Sequence, residues 1–585
     1  MLSIFLISLL WIISLAGWGF TLAIVGRLEI KDYSEKIFIY ILLGHVPVIV
    51  LGYLAHLFLP LGSWVAAIVC LGGCGIWLAA SFKASTHAGS WKNWLLLATI
   101  TGFVSLFASR QFVHGDSAYY ALPAIAWTVD QSIVRGLANL DPTLGYNSSW
   151  WIVAALMSWP FGIELGVVAV SVPLLSAFGG LLVQAANRVF IGEGQWADFF
   201  LLPSSYLWIR QIVGHNTPSP AADIPANLCA ILAFWAVIKA LQTTFTKAES
   251  PRSSSTNPQS IARDGLVKFL QLGSSPEGAL FFSFAVIAAS AKISCLLLVA
   301  VAVAWLGASL LWKRSRMEGR WVLYGILAAT MAAYALHGFF LSGYPFFPTE
   351  IGSFLNVPWK VSPEIPAETV ARAKGWALTF GATQEEIATT PAWQLWLEKQ
   401  GALVNLITFG SAALLATVGI VVLAWSKRRT VIFSAIPFVL PTLIVSFLLC
   451  WNLFHAPALR FAAGYAFCLL GILCAFLGTH LAVGLRRMVL ATWIILSVLS
   501  QSNLIRERSY ALLSPIPLPE SRFSERKTTQ GETVFIPTDG FAWLGPRPSV
   551  PEFEFKARLV FLRHSATGTI FEMRVQTPHA GVPTR

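Results

Sequence analysis

The sequence predicts an all-α polytopic membrane protein of about fourteen transmembrane helices, with two long outer loops and a small β-rich C-terminal appendage. Three observations carry that reading. Of 585 residues, 56% are hydrophobic and only 12% charged, against about 25% charged in a soluble domain. Uncharged runs such as Leu2–Gly26 and Ile37–Phe82 supply the roughly 20 apolar residues that a helix needs to cross a bilayer. Apart from 11 Lys and Arg in the tail beyond Ile505, positive charges gather in short connections: Arg27, Lys31 and Lys36; Lys83 and Lys92; Lys313, Arg314, Arg316 and Arg320; Lys427, Arg428 and Arg429; Arg486 and Arg487. That is the positive-inside pattern, which puts those connections in the cytoplasm. A water-soluble enzyme is excluded. The net charge of +12 invites a nucleic-acid reading, which this distribution defeats.

In chain order, the predicted spans lie near 2–26, 37–59, 63–82 and 93–109, which places the N-terminus and residues 110–163 outside. The first run has no small-residue cleavage site after it and reads as a retained span. Spans near 164–186, 198–213 and 223–245 return the chain to a Ser/Pro-rich cytoplasmic linker at 246–276. An apolar hairpin, 277–290 and 293–312, turns at Ala291-Lys292 on the outer side. The span 321–340 leads to a second outer loop, 341–400, and spans near 401–425, 431–450, 461–485 and 488–505 leave the tail outside. The resulting domains are N-terminal helices 1–92, a transmembrane core 93–505 and a tail domain 506–585. The aromatics of the two outer loops (Tyr119, Tyr120, Trp127, Trp150 and Trp151; Tyr344, Phe346, Phe347, Trp359 and Trp376) fit helices at the membrane–water interface. In the tail, alternating runs at Thr533–Ile536, Phe553–Val560 and Thr569–Val575 read as strands. All seven cysteines fall in apolar runs, so no disulfide framework or zinc site is indicated.

The polar residues of the outer side are few and informative. Asp116, in His114-Gly-Asp-Ser-Ala-Tyr-Tyr120, has two readings. It is a good N-cap for the helix that follows, worth about 1 kcal/mol, or it is a general base or metal ligand at the interface. Asp223, in Ala222-Asp-Ile-Pro225, repeats the choice between cap and metal or substrate ligand, and two acids at one surface can share a cation. Lys292 and Arg460, each at an outer helix mouth, are either snorkelling cations or partners for a phosphate. His114, His337 and His455 lie near the same surface, as packed histidines or as contacts to a ligand. Asp130, Asp141 and Arg135 read as solvated turn residues.

A Gly-Asp followed by Tyr-Tyr in the first large outer loop resembles GT-C glycosyltransferases that use polyprenyl-phosphate sugars, among them protein O-mannosyltransferases and lipid A aminoarabinose transferases. The resemblance implies a GT-C-like core in which Asp116 is the catalytic base and Asp223 lies near a metal or substrate. It also implies that Lys292 and Arg460 face the donor phosphate. Ser117 stands where many of those transferases carry a second acid. Gly136-Leu-Ala-Asn139, Leu144-Gly-Tyr-Asn-Ser-Ser149, Asp223-Ile-Pro225, Ser342-Gly-Tyr-Pro-Phe-Phe-Pro348 and Val357-Pro-Trp359 are similar to an uncharacterised bacterial family of large multi-pass membrane proteins, of leptospiral and Bacteroidetes type. On this footing His114, Tyr119, Tyr120, Asn147 and Tyr344 are candidate substrate contacts, and a divalent metal ion is a candidate cofactor.

The expected function is therefore an inverting glycosyltransferase of the bacterial inner membrane that acts on the outer face. Its partners are a polyprenyl-phosphate-linked sugar, membrane lipid, and a glycan, lipid or protein acceptor of the cell envelope. The rival readings are a transporter or flippase, or a polymerase or ligase, of lipid-linked glycans. Transporters place charge at mid-membrane, whereas the notable charges here fall at helix ends.

Overall fold

The computed structural model describes every residue except 31, 63, 84–90, 111–114, 215, 247–266, 268, 312–318, 380–381, 400–428, 456, 479, 507–509, 528–530, 532, 550–558, 565–569 and 576–585. The described residues are mostly helical. Among the described residues, nine helical segments are long and apolar enough to cross a membrane: Leu2–Val25, Lys36–His56, Trp64–Phe82, Ile163–Ile191, Asp223–Thr244, Ile293–Leu311, Trp321–Ser342, Pro437–His455 and Arg460–Gly478.

The first three helices, α1 (Leu2–Val25), α2 (Lys36–His56) and α3 (Trp64–Lys83), pack through glycine. A Cβ on Gly44 would stand 2.0 Å from the Leu15 carbonyl oxygen, and one on Gly17 2.0 Å from that of Gly73. Small residues let apolar helices meet backbone to backbone, where dispersion replaces the absent hydrophobic drive. Next come α4 (Trp91–Ala108), a π-turn at Ser117–Ala121, α5 (Leu122–Asp130), α6 (Ser149–Met157), α7 (Ile163–Ala169) and α8 (Val172–Ile191).

The expected span at 198–213 is not one helix. It divides into α9 (Trp196–Leu201), a 3-10 turn at Leu202–Ser204 and α10 (Ser205–Val213), because Pro203 supplies no backbone N–H to continue the ladder. The span α11 (Asp223–Thr246) follows, and the hairpin forms as α12 (Pro276–Ala291) and α13 (Leu296–Leu311), with Lys292 at its turn. Then follow α14 (Trp321–Ser342), three loop helices α15 (Glu364–Thr379), α16 (Gln384–Thr389) and α17 (Ala392–Lys399), and α18 (Arg429–His455), α19 (Leu459–Gly478), α20 (Val483–Leu499) and α21 (Ser502–Arg506). The expected span 401–425 lies outside the described residues. Three of the first loop's aromatics, Trp127, Trp150 and Trp151, are buried, because α5 and α6 pack into the bundle.

Hydrogen bonds sort the ends of the helices into two poles. At one pole Leu61 donates to Thr128 O and Gly136 to Phe340 O, while the N-terminal Leu2 donates to Leu512 O. At the other, Arg188 reaches Asp32, Asn93 donates to Ser34 O and Arg487 to Phe190 O. The described basic connections fall at this second pole. The tail forms two antiparallel hairpins, β1 (Phe523–Lys527) with β2 (Thr533–Pro537), and β3 (Leu559–His564) with β4 (Ile570–Val575). It docks on the first pole, where the Trp543 N–H donates to Ala118 O at 3.0 Å and Arg547 pairs with Asp130.

Candidate functional site

The site lies at the first pole, where four charged side chains meet from four parts of the chain. Asp116 precedes the π-turn, Asp223 opens α11, Lys292 turns the hairpin and Arg460 sits in the first turn of α19. Arg460 joins both acids: its Nη2 donates to Asp116 Oδ2 at 2.9 Å, and its Nε stands 3.7 Å from Asp223 Oδ2. Lys292 Nζ donates to Asp223 Oδ1. Acids 107 positions apart therefore share one guanidinium.

The cap reading of Asp116 fails. Its side chain makes no capping hydrogen bond, because the carboxylate is turned outward to Arg460. Removing it should not cost the ~1 kcal/mol of a lost cap. Exposure grades the four groups. The side chains of Asp116 and Arg460 are 36% and 33% exposed, those of Lys292 and Asp223 20% and 10%. The open edge of the cluster is thus the Asp116–Arg460 contact.

Aromatic rings frame the cations. Phe461 lies under Lys292 at 3.4 Å and under Arg460 at 4.9 Å, and Trp376 of α15 lies over Arg460 at 4.5 Å. Such contacts stabilise a desolvated cation by up to about 2 kcal/mol each. Burial holds the Lys292 ammonium below the ordinary lysine range, although Asp223 pulls the other way. Tyr120 packs on Tyr146 and Trp151. Burial, reinforced by Asp116, pushes its phenol well above the usual tyrosine value, so Tyr120 stays a neutral donor.

Two polar contacts outside the expected site residues hold this geometry. Asn227 Nδ2 donates to Asp223 O and to Arg460 O at 2.9 Å each, and its Oδ1 accepts from Gly464 N. One amide thereby fixes α11 against α19. Ser117 and Ser219 meet Oγ to Oγ at 2.6 Å, tying the Asp116 segment to the approach to α11. A polar side chain inside an apolar helix was the available signal at Asn227.

Other expected residues lie elsewhere. His114 is outside the described residues. Asn147 is not at the cluster: it accepts from Tyr53 and lies against His337. Tyr344 is buried in a separate small core with Ala138, Phe347, Val361 and Ile365, where the Lys360 ammonium covers its ring. Tyr119 packs edge-on to Tyr120. His455 stacks on Trp451 at 4.1 Å. Asp141 is buried rather than solvated and caps the turn at Pro142–Gly145 through Thr143 N, while Arg135 lies over Phe340 and Trp359.

The donor set does not suit the expected divalent metal. Asp116 and Asp223 already face two cations, and among the described residues no three His, Cys, Asp or Glu side chains gather as ligands. A cavity of about 250 Å³, lined by Phe234, Phe281, Trp305, Leu440 and Ile444 among others, is apolar. It begins roughly 16 Å along α11 from Asp223, at 1.5 Å per residue, and holds none of this chemistry.

A family model described as a domain of unknown function, DUF8201, matches residues 1–467. The chain belongs to the DUF8201 family. The match takes in α1–α3. All four charged residues lie inside that unit, whereas the β-hairpin tail lies beyond the match. No curated protein and no solved structure matches the chain.

Proposed function

We propose that this DUF8201 protein is a GT-C-like membrane glycosyltransferase that uses a polyprenyl-phosphate sugar on the outer face of the bacterial inner membrane. Its acceptor would be a component of the cell envelope. The observation that carries the reading is the convergence of Asp116 and Asp223 on Arg460, beside Lys292, at one pole of an apolar bundle.

Such a donor keeps its tail in lipid and its reacting carbon at the interface, where this cluster sits. The acceptor hydroxyl oxygen attacks the anomeric carbon and the carbon–oxygen bond to phosphate breaks. The phosphate leaves with the bonding electron pair, and the hydroxyl proton passes to Asp116. A single displacement of this kind inverts the anomeric centre and needs one base. Arg460 and Lys292 would stabilise the departing phosphate. Because Arg460 now holds Asp116, an arriving phosphate would take over the guanidinium and release the carboxylate as it binds.

Charge at the pole rather than at mid-membrane favours transfer over transport. The experiment is Asp116→Asn, with transfer measured from labelled lipid-linked sugars in membranes and bound lipid identified by mass spectrometry of the purified protein. The expected outcome is a loss of about 100-fold or more in transfer with the donor lipid still bound. A folded Asp116→Asn protein with full activity removes Asp116 as the base, and a wild-type protein without bound polyprenyl lipid removes the donor class.

A further inference from the structure

The C-terminal tail lies beyond the residues that match DUF8201, yet it touches the segment that carries Asp116. The turn Ala542–Gly545 is closed by the Gly545 N–H, which donates to Ala542 O at 2.8 Å. This turn presents the Trp543 N–H to Ala118 O at 3.0 Å. Ala118 is buried and stands two residues after Asp116. At the far end of the same segment Arg547 pairs with Asp130, the last residue of α5. The tail therefore grips 118–130 at both ends. It is itself held in place. The Phe535 N–H of β2 donates to Pro548 O at 2.9 Å. Further back along the tail, the Met1 ammonium donates to Ala511 O at 2.7 Å and the Leu2 N–H to Leu512 O at 2.9 Å.

The sequence explains why Ala118 O is open to the tail. In an α-helix a carbonyl accepts from the N–H four residues on, here that of Leu122. In the π-turn Ser117–Ala121 the Leu122 N–H donates to Ser117 O instead. The π pattern would next offer residue 123 to Ala118, and Pro123 has no N–H. The segment thus leaves the Ala118 carbonyl without its regular helical donor, and a buried carbonyl requires one. Trp543 supplies it, at a backbone φ of 43°. A bulky residue keeps that left-handed conformation only where its surroundings hold it.

The contact favours one register of the segment over the other. A return of 117–121 to the α pattern would hand the Leu122 N–H to Ala118 O, in competition with the Trp543 N–H. It would also remove the extra residue of the π-turn. One residue corresponds to roughly 100° about a helix axis. With α5 fixed in the bundle, Asp116 would swing by that angle, away from Arg460. Single π-turns within helices recur at functional sites.

We propose that Trp543 is a positioning residue for Asp116: its N–H holds the π-turn, and the π-turn aims the carboxylate at Arg460. Trp543 acts through the backbone of Ala118, and the reacting groups remain Asp116, Arg460 and Lys292. The inference rests on the reading of Asp116 as the base, but the coupling of tail to π-turn is measured without substrate.

The test uses the full-length protein in detergent, with substitutions on both sides of the contact. Trp543→Pro deletes the donor from the tail. Pro123→Ala leaves the tail untouched and gives the helix an N–H that can serve Ala118 O from within. Amide hydrogen–deuterium exchange of 541–545 should be faster by about fivefold or more in Pro123→Ala, the equivalent of one backbone hydrogen bond. In Trp543→Pro the same rise should appear in 117–122. Transfer from labelled lipid-linked sugar, per folded protein, should fall in kcat by about 10- to 100-fold in Trp543→Pro. KM should not rise, because Arg460 and Lys292 still meet the phosphate. Trp543→Gly retains the N–H and adopts positive φ readily, so it should keep kcat. Unchanged exchange of 541–545 in Pro123→Ala, a wild-type kcat in Trp543→Pro, or equal losses in Trp543→Pro and Trp543→Gly would each overturn the proposal. A wild type that transfers no sugar would remove the glycosyltransferase reading, while the exchange rates still decide whether the tail holds the π-turn.

Discussion

Two clusters of charge occupy the two poles of the bundle, and they differ in how completely their charges are used. At the pole of the basic connections, Arg188 is saturated. Its Nε donates to both oxygens of Asp198, its Nη1 to Asp32 and its Nη2 to Glu35 and Asp198. Lys239 takes the other oxygen of Glu35, and Asp198 also accepts from the Gln195 N–H. The side chains of Glu35 and Asp198 are 3% and 2% exposed. At the opposite pole the Arg460 Nε has no hydrogen-bond partner among the described residues, standing 3.7 Å from Asp223 Oδ2, and Asp116 faces outward. A guanidinium with every donor engaged holds helices together, whereas one with a donor to spare beside a half-exposed carboxylate can accept a ligand. That contrast, more than residue type, separates the structural cluster from the candidate site.

The comparison can be broken or sharpened by four measurements. Arg188→Met strands buried carboxylates without their cation and should cost about 3–5 kcal/mol, read from thermal unfolding in detergent; a change below about 1 kcal/mol would mean that this cluster is no lock. Arg460→Gln should behave oppositely. Its pair with Asp116 is a third exposed and Lys292 still faces Asp223, so stability should fall by less than for Arg188→Met, by about 1–2 kcal/mol through the lost pair and ring contacts, while transfer falls by about 100-fold. A large loss of stability with activity intact would make the two clusters alike.

Asn227→Leu removes the amide between α11 and α19 and leaves the Gly464 N–H without its partner, for a loss of about 1–3 kcal/mol. It should also reduce transfer, because Asp223 and Arg460 then lose their common support. An unchanged activity would show that the charges hold each other without it. The smallest effect concerns acid. Burial raises the Asp32 carboxyl, but hydrogen bonds from Ser34 and the charge of Arg188 more than offset this and leave it below its ordinary value. Its contribution is therefore present above about pH 4 and fades as pH falls through the folded value. Asp32→Asn should remove a small part of the acid destabilisation. If wild type and variant lose stability identically between about pH 4 and pH 2, Asp32 adds nothing to the lock.

What the chain shows on its own is what hydropathy and charge write locally. Runs such as Leu2–Gly26 announce their helices, because a bilayer demands length and apolarity of each segment separately. Lys292 and Arg460 were legible as helix-mouth cations, and Asp116 and Asp223 as acids at the same ends, for the same reason. Only the fold decided which of these groups meet. Nothing in the spacing of Asp116 and Arg460 states their 2.9 Å contact; it exists because Asn227 and the Ser117–Ser219 pair bring distant helices into register. The broken 196–213 segment, the interior Trp150 and the Trp543–Ala118 contact belong to the same class. Each depends on packing between segments far apart in sequence, and periodicity within one segment carries no record of its neighbour.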